Sequence, residues 1–204
     1  MPPFRLVVGT HNKKKLRELK YLLEPYDINL SSLAEIPDAI EVEETGTTFE
    51  ANACLKATQQ AIHLRQWVLG EDSGLSVDAL GGAPGVYSAR FSGENATDQT
   101  NNELLLEKLK DVPLEKRTAW YTCHMALSDP LGKIQISCEA RCQGRILMGP
   151  KGAQGFGYDP LFEIVEYHQT FGELGDTIKS VLSHRARANR MFVPQLLALV
   201  KESQ

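Results

Sequence analysis

The beginning of the chain changes its hydrophobic period abruptly, and this change constrains the fold more than any other feature of the sequence. Phe4–Gly9 is a short, mainly apolar run rich in Val and Leu. Leu16, Leu19 and Leu23 then recur at helical spacing, with charged residues between them. Asn12 stands between the two patterns and is a residue type that caps helices. The sequence therefore predicts a strand, a turn and an amphipathic helix in direct succession.

The rest of the chain continues to alternate between strand and helix patterns. The predicted strands cover 4–9, 28–33, 67–69, 118–127 and 133–140, and the predicted helices begin near residues 12, 47, 97 and 183. The second of these helices opens with a Thr47–Glu50 capping box, and Pro194 is expected to kink or split the last one. A Ser-Asp-Pro-Leu-Gly segment joins the last two strands and is typical of a hairpin. Since helical crossovers and a hairpin occur together, we predict an α/β fold with a mixed sheet in a single domain, 1–204.

The charge and the composition exclude several classes of function. Lys and Arg number 22 and Asp and Glu number 26, which gives a net charge of −4. Nonspecific nucleic-acid binding rests on many phosphate contacts, so no nucleic-acid partner is expected. No apolar run reaches the roughly 18 residues of a membrane span, so no membrane partner is expected. The N-terminal apolar run is too short for a signal peptide, and the four cysteines form no CxxC pair, which predicts a reduced, cytoplasmic protein.

The first candidate site is the turn after the N-terminal strand, Thr10-His11-Asn12-Lys13-Lys14-Lys15. Free N–H groups at a helix start attract anions, and a lysine in the first turn adds a full charge. Lysines there oppose the helix dipole, so an anionic ligand would relieve a local cost. A helix start with solvated surface lysines is the alternative interpretation.

The second candidate site is acidic. Glu41, Glu43 and Glu44 lie in one predicted loop, and Glu71-Asp72 follow the predicted strand at 67–69. Carboxylates at the C-terminal edge of a buried strand suit a hard cation such as Mg²⁺, which prefers oxygen ligands and keeps several waters. The loop glutamates are also consistent with a solvated surface, whereas Asp72 is held at the end of an apolar strand.

The third candidate site is the glycine-rich segment 152–159, followed by Lys179 and by the Ser-His-Arg segment at 183–185. Glycine allows a ligand to approach the backbone closely, and Phe156 or Tyr158 offers a flat face for a base. Neither G-x-G-x-x-G nor G-x-x-x-x-G-K-[ST] is present in the sequence. Their absence argues against a Rossmann cofactor site and against a Walker-type ATPase.

Five segments follow one another between Val7 and about Met191: VVGTHNKKKLREL, EETGTTFEANACLKA, EDSGLSVDALGGAPGVYSARFSG, GFGYDPLF and KSVLSHRARA. In type and order they resemble the inosine triphosphate pyrophosphatase family, which removes non-standard purine nucleoside triphosphates. The resemblance implies a mixed, elongated central sheet flanked by helices, with the active-site cleft between two lobes. It also implies Mg²⁺-dependent hydrolysis of ITP, dITP or XTP to the monophosphate and pyrophosphate, in a homodimer.

The resemblance implies a role for each candidate residue. Asp72 matches the carboxylate that accepts a proton and binds the metal. Glu43 matches a second metal-binding carboxylate, with Glu44 and Glu71 left open as alternatives, and Lys15 and Lys179 would neutralise the phosphates. The positions that match nucleotide-binding residues are Thr10, His11, Asn12, Lys13, Lys14, Lys15, Ser73, Phe156, Gly157, Tyr158, Asp159, Lys179, His184 and Arg185.

The same matches suggest how ATP would be spared. Phe156 would stack on the base, and His184 and Arg185 would donate hydrogen bonds to a 6-keto oxygen. Adenine presents an amino group there, so donor would face donor, and such a mismatch can cost about 10⁴-fold in rate. The ranking of ITP, dITP and XTP, and the contact that excludes guanine, stay open.

The sequence departs from the family pattern at two positions. Glu71 stands where many relatives carry Asp, and His11 where many carry Gly, which leaves metal preference and substrate ranking open.

Two rival functions stay open. One rival is a Maf-like pyrophosphatase for modified pyrimidine nucleotides, which the GGAPG loop and the Ser-His-Arg segment disfavour. The other is a nucleotide-binding protein without turnover, against which Lys15, Asp72 and Lys179 argue.

Overall fold

The computed structural model describes residues 4–10, 16, 19–20, 23–26 and 28–202. The predicted phosphate-binding positions His11, Asn12, Lys13, Lys14 and Lys15 lie outside the described residues. Leu16, Leu19 and Leu23 are helical and buried. At these positions the helix that was predicted from the apolar spacing is confirmed.

Seven strands of the described residues form one sheet. They are β1 Phe4–Gly9, β2 Ile28–Ser32, β3 Trp67–Val77, β4 Thr118–Ser128, β5 Ile134–Ile146, β6 Phe162–Ile164 and β7 Gln169–Thr170. Their order across the sheet is β2-β1-β3-β4-β5-β6-β7. β1 pairs in parallel with β2 and β3, whereas β6 pairs antiparallel with β5 and β7. The predicted mixed sheet is confirmed, and β4 and β5 are neighbours joined by the predicted turn.

Four longer helices accompany the sheet in the part of the chain that the structure describes. They are α1 Phe49–Leu64, α2 Asp98–Lys108, α3 Phe171–Leu182 and α4 His184–Glu202. Thr48, not Thr47, caps α1, because its Oγ1 accepts a hydrogen bond from the Ala51 N–H at 3.1 Å. The predicted N-cap is therefore one residue early, and Ala51, at N3, has no polar side chain to complete the predicted capping box. α3 has no counterpart in the prediction from sequence.

The last helix does not divide at its proline. α4 continues through Pro194 to Glu202, so the predicted split is wrong, and a kink at Pro194 stays a prediction. Phe192 and Leu196 are fully buried on either side of the proline, and Val200 is buried one turn later. Burial of the same face before and after Pro194 offsets the loss of one backbone hydrogen bond.

The third strand is longer than its sequence pattern predicts. The prediction ends it before Glu71 and Asp72, but β3 runs on to Val77. Leu75 and Val77 are completely buried, and this apolar burial extends the strand beyond the charged pair. Asp72 therefore lies in the middle of a buried strand rather than at its C-terminal edge. A carboxylate is tolerated there because it is hydrogen-bonded.

The chain divides into two compact units. The first unit comprises Met1–Asp72, Cys123–Glu139 and Ala188–Gln204, and the second unit comprises Ser73–Thr122 and Ala140–Arg187. β3, β4 and β5 each contribute one part of their length to each unit. The organisation of 1–204 as a single domain stays a prediction.

Each unit has an apolar core of its own. In the first unit, small residues of α1 and valines of β1 and β3 pack together, including Val7, Ala61 and Val68. The core of the second unit is larger and aromatic, and its buried members include Leu75, Leu105, Tyr121, Tyr158, Phe162 and Phe171. All four cysteines are free thiols. Among the described residues, no helix has the length and apolar character of a membrane span.

Candidate active site

The acidic cluster of the first unit forms where α1 packs on β3. A Cβ at Gly70 would lie 2.2 Å from the Ala53 carbonyl oxygen and 2.7 Å from the Ala57 nitrogen. Only glycine therefore lets the helix approach the strand this closely, and Ala53 and Ala57 are the small, fully buried residues on the facing side. Alternate residues of a strand share a face, so Asp72 lies on the same side of β3 as Gly70 and meets α1.

Two side chains of α1 hold the Asp72 carboxylate, which is buried with 8% of the residue exposed. Asn52 donates from Nδ2 to Asp72 Oδ2 at 3.2 Å, and Lys56 donates from Nζ to Oδ1 at 3.0 Å. Asn52 and Lys56 are four residues apart, which places them on one helix face. The Asn52 Oδ1 accepts from the Gly46 N–H at 2.8 Å. That bond orients the amide so that its donor faces Asp72.

A second carboxylate shares the same ammonium group. Lys56 Nζ lies 3.4 Å from Glu44 Oε2 as well as 3.0 Å from Asp72 Oδ1. Burial raises the pKa of the Asp72 carboxyl, the Lys56 charge opposes that rise, and the nearby Glu44 charge adds to it. A raised pKa makes an ionised carboxylate a stronger base at neutral pH.

The acidic residues predicted from sequence separate into different environments. Glu44 is joined to the cluster through Lys56, whereas Glu43 is exposed. Glu71 is buried, and the alternation of β3 directs it to the face opposite Asp72. The contact with Lys56 favours Glu44 among the alternatives that the sequence left open, and Glu43 as a metal ligand stays a prediction.

The donor set of this cluster fits Mg²⁺. Two carboxylates, Glu44 and Asp72, converge on the position of one cationic atom. No group of three or more His, Cys, Asp or Glu side chains that could hold a metal occurs among the described residues. Mg²⁺ is commonly held by one or two carboxylates together with waters and substrate phosphates, so a pair of carboxylates is sufficient.

The second unit contains a separate cluster around Phe156. Lys179 forms a buried ion pair with Asp159, and its Nζ lies 3.9 Å from the centre of the Phe156 ring. The Phe156 N–H donates to Asp159 Oδ2 at 2.9 Å. Burial raises the pKa of the Asp159 carboxyl, and the Lys179 charge opposes that rise. Asp159 thus binds the backbone of Phe156, and Lys179 covers one face of its ring.

Glycine is required for this turn to close. Gly155 has a φ of +84°, and a Cβ there would lie 2.1 Å from Asp159 Oδ2. A side chain at position 155 would therefore clash with the carboxylate that binds Phe156 and Lys179. At Gly155 the close approach is made by a side chain of the protein itself, and the approach of a ligand to the glycines of this segment stays a prediction.

The remaining predicted base contacts lie at the start of α4. His184 stacks on Tyr121 with ring centres 4.7 Å apart and planes 13° from parallel. Arg185 donates from Nη2 to Ser73 Oγ at 3.4 Å. His184 and Arg185 are both buried, which makes their hydrogen-bond partners important for stability as well as for recognition.

The sequence interpretation missed Asn52 and Lys56, although both lie within a segment that it quoted. The available signal was helical: the two polar residues fall at i and i+4 of an alanine-rich helix whose neighbours Ala53 and Ala57 are core residues. Thr10 is half-buried directly after β1, and its phosphate role stays a prediction. The phosphate role of Lys15 lies outside the described residues and stays a prediction.

Comparison with known proteins identifies relatives along nearly the whole chain. The profile of the Ham1 family matches residues 6–195. A dITP/XTP pyrophosphatase of Rhodopirellula baltica is 57% identical over 200 residues, which are 98% of this chain and 96% of the relative. A dITP/XTP pyrophosphatase of Geobacter sulfurreducens is 49% identical over 198 residues, covering 97% of this chain and 95% of the relative.

Solved structures show the same fold. A HAM1 protein from Coxiella burnetii superposes with a TM-score of 0.88 at 34% identity, covering 98% of this chain and 99% of the other. The Ham1 protein of Staphylococcus aureus gives a TM-score of 0.85 at 35% identity, covering 98% of this chain and 100% of the other. The mixed α/β architecture predicted from the sequence is therefore confirmed at the level of the whole chain.

Proposed function

The chain belongs to the Ham1 family, and we propose that it hydrolyses non-standard purine nucleoside triphosphates, dITP, ITP and XTP, to the monophosphate and pyrophosphate. The relatives supply the reaction class, since those at 57% and 49% identity are dITP/XTP pyrophosphatases. The observation that carries the proposal to this chain is the buried Asp72 carboxylate, held by Lys56 and Asn52 beside Glu44. This is a preorganised base next to a pair of oxygen ligands for a cation.

In the proposed mechanism, Asp72 orients the water that attacks the α-phosphorus and takes up its proton at a carboxylate oxygen. The α–β phosphoanhydride bond breaks as the new P–O bond forms, and pyrophosphate leaves. Lys56 keeps this carboxylate ionised through the bond to Oδ1, and Asn52 fixes the plane of the carboxylate through Oδ2. Asp72 and Glu44 are the residues that would hold Mg²⁺, which supplies positive charge against the triphosphate when it is bound. Thr10 and the lysines at 13–15 would bind the phosphates.

The base would stack on Phe156. One face of its ring is covered by the Lys179 ammonium, and the opposite face would receive the purine. The Lys179 charge is balanced by Asp159, which favours a role in supporting the ring over the phosphate role predicted from the sequence. Donors at His184 and Arg185 would meet a 6-keto oxygen and would oppose the 6-amino group of adenine.

The same family resemblance leads us to propose Mg²⁺ dependence, a homodimer and a cytoplasmic location. Light scattering on the purified protein tests the dimer, and omission of Mg²⁺ tests the metal. A monomer in solution would remove the dimer from the proposal without affecting the assignment of Asp72.

The deciding experiment measures pyrophosphate release from ITP, dITP, XTP, ATP, GTP and TTP, with Mg²⁺ and with EDTA. We expect Mg²⁺-dependent cleavage of the three non-standard purines, with the standard triphosphates largely spared. Strong turnover of TTP without ITP would instead support the Maf-like function. Tight ITP binding without any cleavage would support a nucleotide-binding protein, and release of orthophosphate would mean that a different bond is broken.

A further inference from the structure

Two side chains of α2 bind the backbone N–H and C=O of Gly157, in the turn that carries Phe156. The Gly157 N–H donates to Asp98 Oδ2 at 2.7 Å, and the Gly157 carbonyl oxygen accepts from Asn102 Nδ2 at 2.9 Å. Asp98 and Asn102 are four residues apart and lie on one face of α2. Both polar groups of Gly157 are therefore bound by one helix, more than 50 residues earlier in the chain.

These two bonds restrict the backbone of Gly157, which is conformationally free in the absence of such contacts. Gly157 has a φ of +62°, a left-handed conformation that is open to many alternatives in glycine. The preceding amide, that of Phe156, is bound by a different carboxylate, Asp159 Oδ2. The N–H groups of Phe156 and Gly157 thus donate to two different carboxylates, those of Asp159 and Asp98, and the Cα of Phe156 lies between these two N–H groups. The direction of the Phe156 ring depends on both.

The hydrogen bonding of Asn102 indicates that the role of its amide is to donate to Gly157. A carbonyl oxygen only accepts, so the Asn102 group that faces Gly157 must be the NH₂. The Asn102 Oδ1 is then buried and has no hydrogen-bond partner among the described residues. An unsatisfied buried acceptor is unfavourable, and an apolar side chain would avoid it. This unfavourable acceptor occurs in the same side chain that donates a hydrogen bond to the turn at Gly157.

The helix that supplies the two residues is itself anchored at the same end. Thr97 caps α2 by accepting from the Thr100 N–H. Asn101 accepts from the Ser92 N–H at 2.8 Å and donates to the Ala89 carbonyl at 3.2 Å. Asp98 and Asn102 therefore project from a rigid support, as side chains that hold a functional group need to.

We propose that Asp98 and Asn102 are positioning residues that fix the Phe156 ring for stacking before the nucleotide binds. This proposal rests on the proposed role of Phe156 as the platform for the base. Neither residue touches the substrate in this arrangement, and neither takes part in the proton transfer at Asp72. Their loss weakens recognition of the base and leaves the phosphate contacts and the turnover number unchanged.

The test uses Asp98→Ala, Asp98→Asn and Asn102→Asp in the full chain. Asp98→Ala removes the acceptor, Asp98→Asn keeps an amide oxygen in its place, and Asn102→Asp sets a carboxylate against the Gly157 carbonyl. Gln99→Ala and Glu103→Ala are matched controls, because these residues pair with each other at the same i and i+4 spacing on the exposed side of α2. Circular dichroism and urea unfolding establish that every variant folds.

Three readouts separate positioning from a general structural role. Amide hydrogen exchange at Gly157 reports the contact itself, and binding of ITP in EDTA reports the base and the phosphates together. Binding of tripolyphosphate, which has no base, reports the phosphates alone. We expect about tenfold faster exchange and about tenfold weaker ITP binding in Asp98→Ala and Asn102→Asp, with tripolyphosphate binding unchanged. Asp98→Asn should recover most of both losses. In Asp98→Ala and Asn102→Asp, KM for dITP should rise while kcat stays within about twofold of the wild-type value.

Several outcomes would overturn the proposal. Unchanged exchange at Gly157 would mean that the contacts are not made in solution. Faster exchange with unchanged ITP binding would mean that the turn does not orient the base, and an equal loss for tripolyphosphate would mean that the effect is general. Wild-type protein that releases no pyrophosphate would refute the proposed function alone, because the exchange and EDTA binding measurements do not require turnover.

Discussion

Each unit of the molecule contains a lysine–aspartate pair, and the two pairs differ in how completely they are enclosed. In the first unit, the side chains of Lys56 and Asp72 are 16% and 11% exposed. In the second unit, those of Lys179 and Asp159 are 7% and 2% exposed. Buried ion pairs gain little net stability, but breaking one of them leaves an uncompensated charge. The difference in enclosure therefore separates a pair that can exchange partners from one that holds structure.

The neighbours of the two pairs support the same distinction. Lys56 divides its charge between two carboxylates, so that a cation could take over one of its partners. Lys179 instead lies against the rings of Phe156 and Phe171, where its ammonium has apolar and aromatic surroundings. A shared, partly exposed pair is suited to chemistry, and an enclosed pair beside aromatic rings is suited to positioning.

The largest expected effect comes from changing Asp72, the proposed base, in the first pair. Asp72→Asn keeps the shape of the side chain but cannot take up a proton, and we expect kcat for dITP to fall by about 10²–10⁴-fold. Pyrophosphate release in Mg²⁺ measures this. Asp111→Asn, at an exposed carboxylate outside both clusters, is the control and should keep full activity. An active Asp72→Asn enzyme would remove Asp72 from the mechanism.

Removing the lysine from each pair tests the difference in enclosure directly. Lys179→Met removes the ion-pair partner of the buried Asp159 and leaves it the Phe156 N–H and the charge of Arg185, and we expect the free energy of unfolding to fall by about 3–5 kcal/mol. Lys56→Met leaves Asp72 with Asn52 and some solvent, and we expect a smaller loss, about 2 kcal/mol. Urea denaturation of both variants at one pH gives the two values. Equal losses would contradict the distinction between the pairs.

Removal of the Phe156 ring tests the base-stacking role proposed for the cluster around Phe156. Phe156→Ala removes the ring that Lys179 supports, and we expect about a tenfold rise in KM for dITP, since stacking a base on an aromatic ring is worth about 1–3 kcal/mol. Steady-state kinetics with dITP measures it. Phe91→Ala, at another partly buried ring in contact with a lysine, serves as the comparison and should not alter KM. A fall in kcat alone would argue against a binding platform.

The smallest expected effect is a shift in the titration of Asp72. Burial raises its pKa above the ordinary 3.8, and Lys56 opposes this while Glu44 adds to it. Lys56→Met should therefore raise the pKa further, and Glu44→Gln should lower it. Carboxyl resonances followed by NMR in metal-free buffer measure both shifts. Shifts in the same direction would mean that the charges of Lys56 and Glu44 do not act on Asp72 as a shared cluster.

The sign of the stability effect follows from the same pKa. Since the native carboxyl keeps its proton to a higher pH than the unfolded one, this group's contribution to stability falls as pH rises from about 3.8 through the raised native pKa. Asp72→Asn removes this dependence. Unfolding measured over that pH range should show a shallower decline in the variant than in the wild type.

Local patterns in the sequence were sufficient for most of the fold. The period of the first helix, the turn at 129–133 and the cap at Thr97 are set by neighbours within a few residues. The strand patterns at 4–9 and 118–127 were equally direct, because apolar runs of that length form buried strands. The five motif segments also indicated the family and the candidate site residues.

What only the tertiary structure decided depends on partners that are distant in the sequence. β3 runs through Glu71 and Asp72 because Asn52 and Lys56, 20 and 16 residues away, satisfy the Asp72 carboxylate. The hydrogen bond from Asn102 of α2 to Gly157 spans 55 residues, and no local pattern predicts that these two residues meet. Hydrophobic periodicity is a property of adjacent residues, whereas the tolerance of a buried charge depends on which donors the fold brings to it. The sequence by itself therefore determined most of the elements and the family, and the packing of α1 and α2 decided which polar residues form the candidate sites.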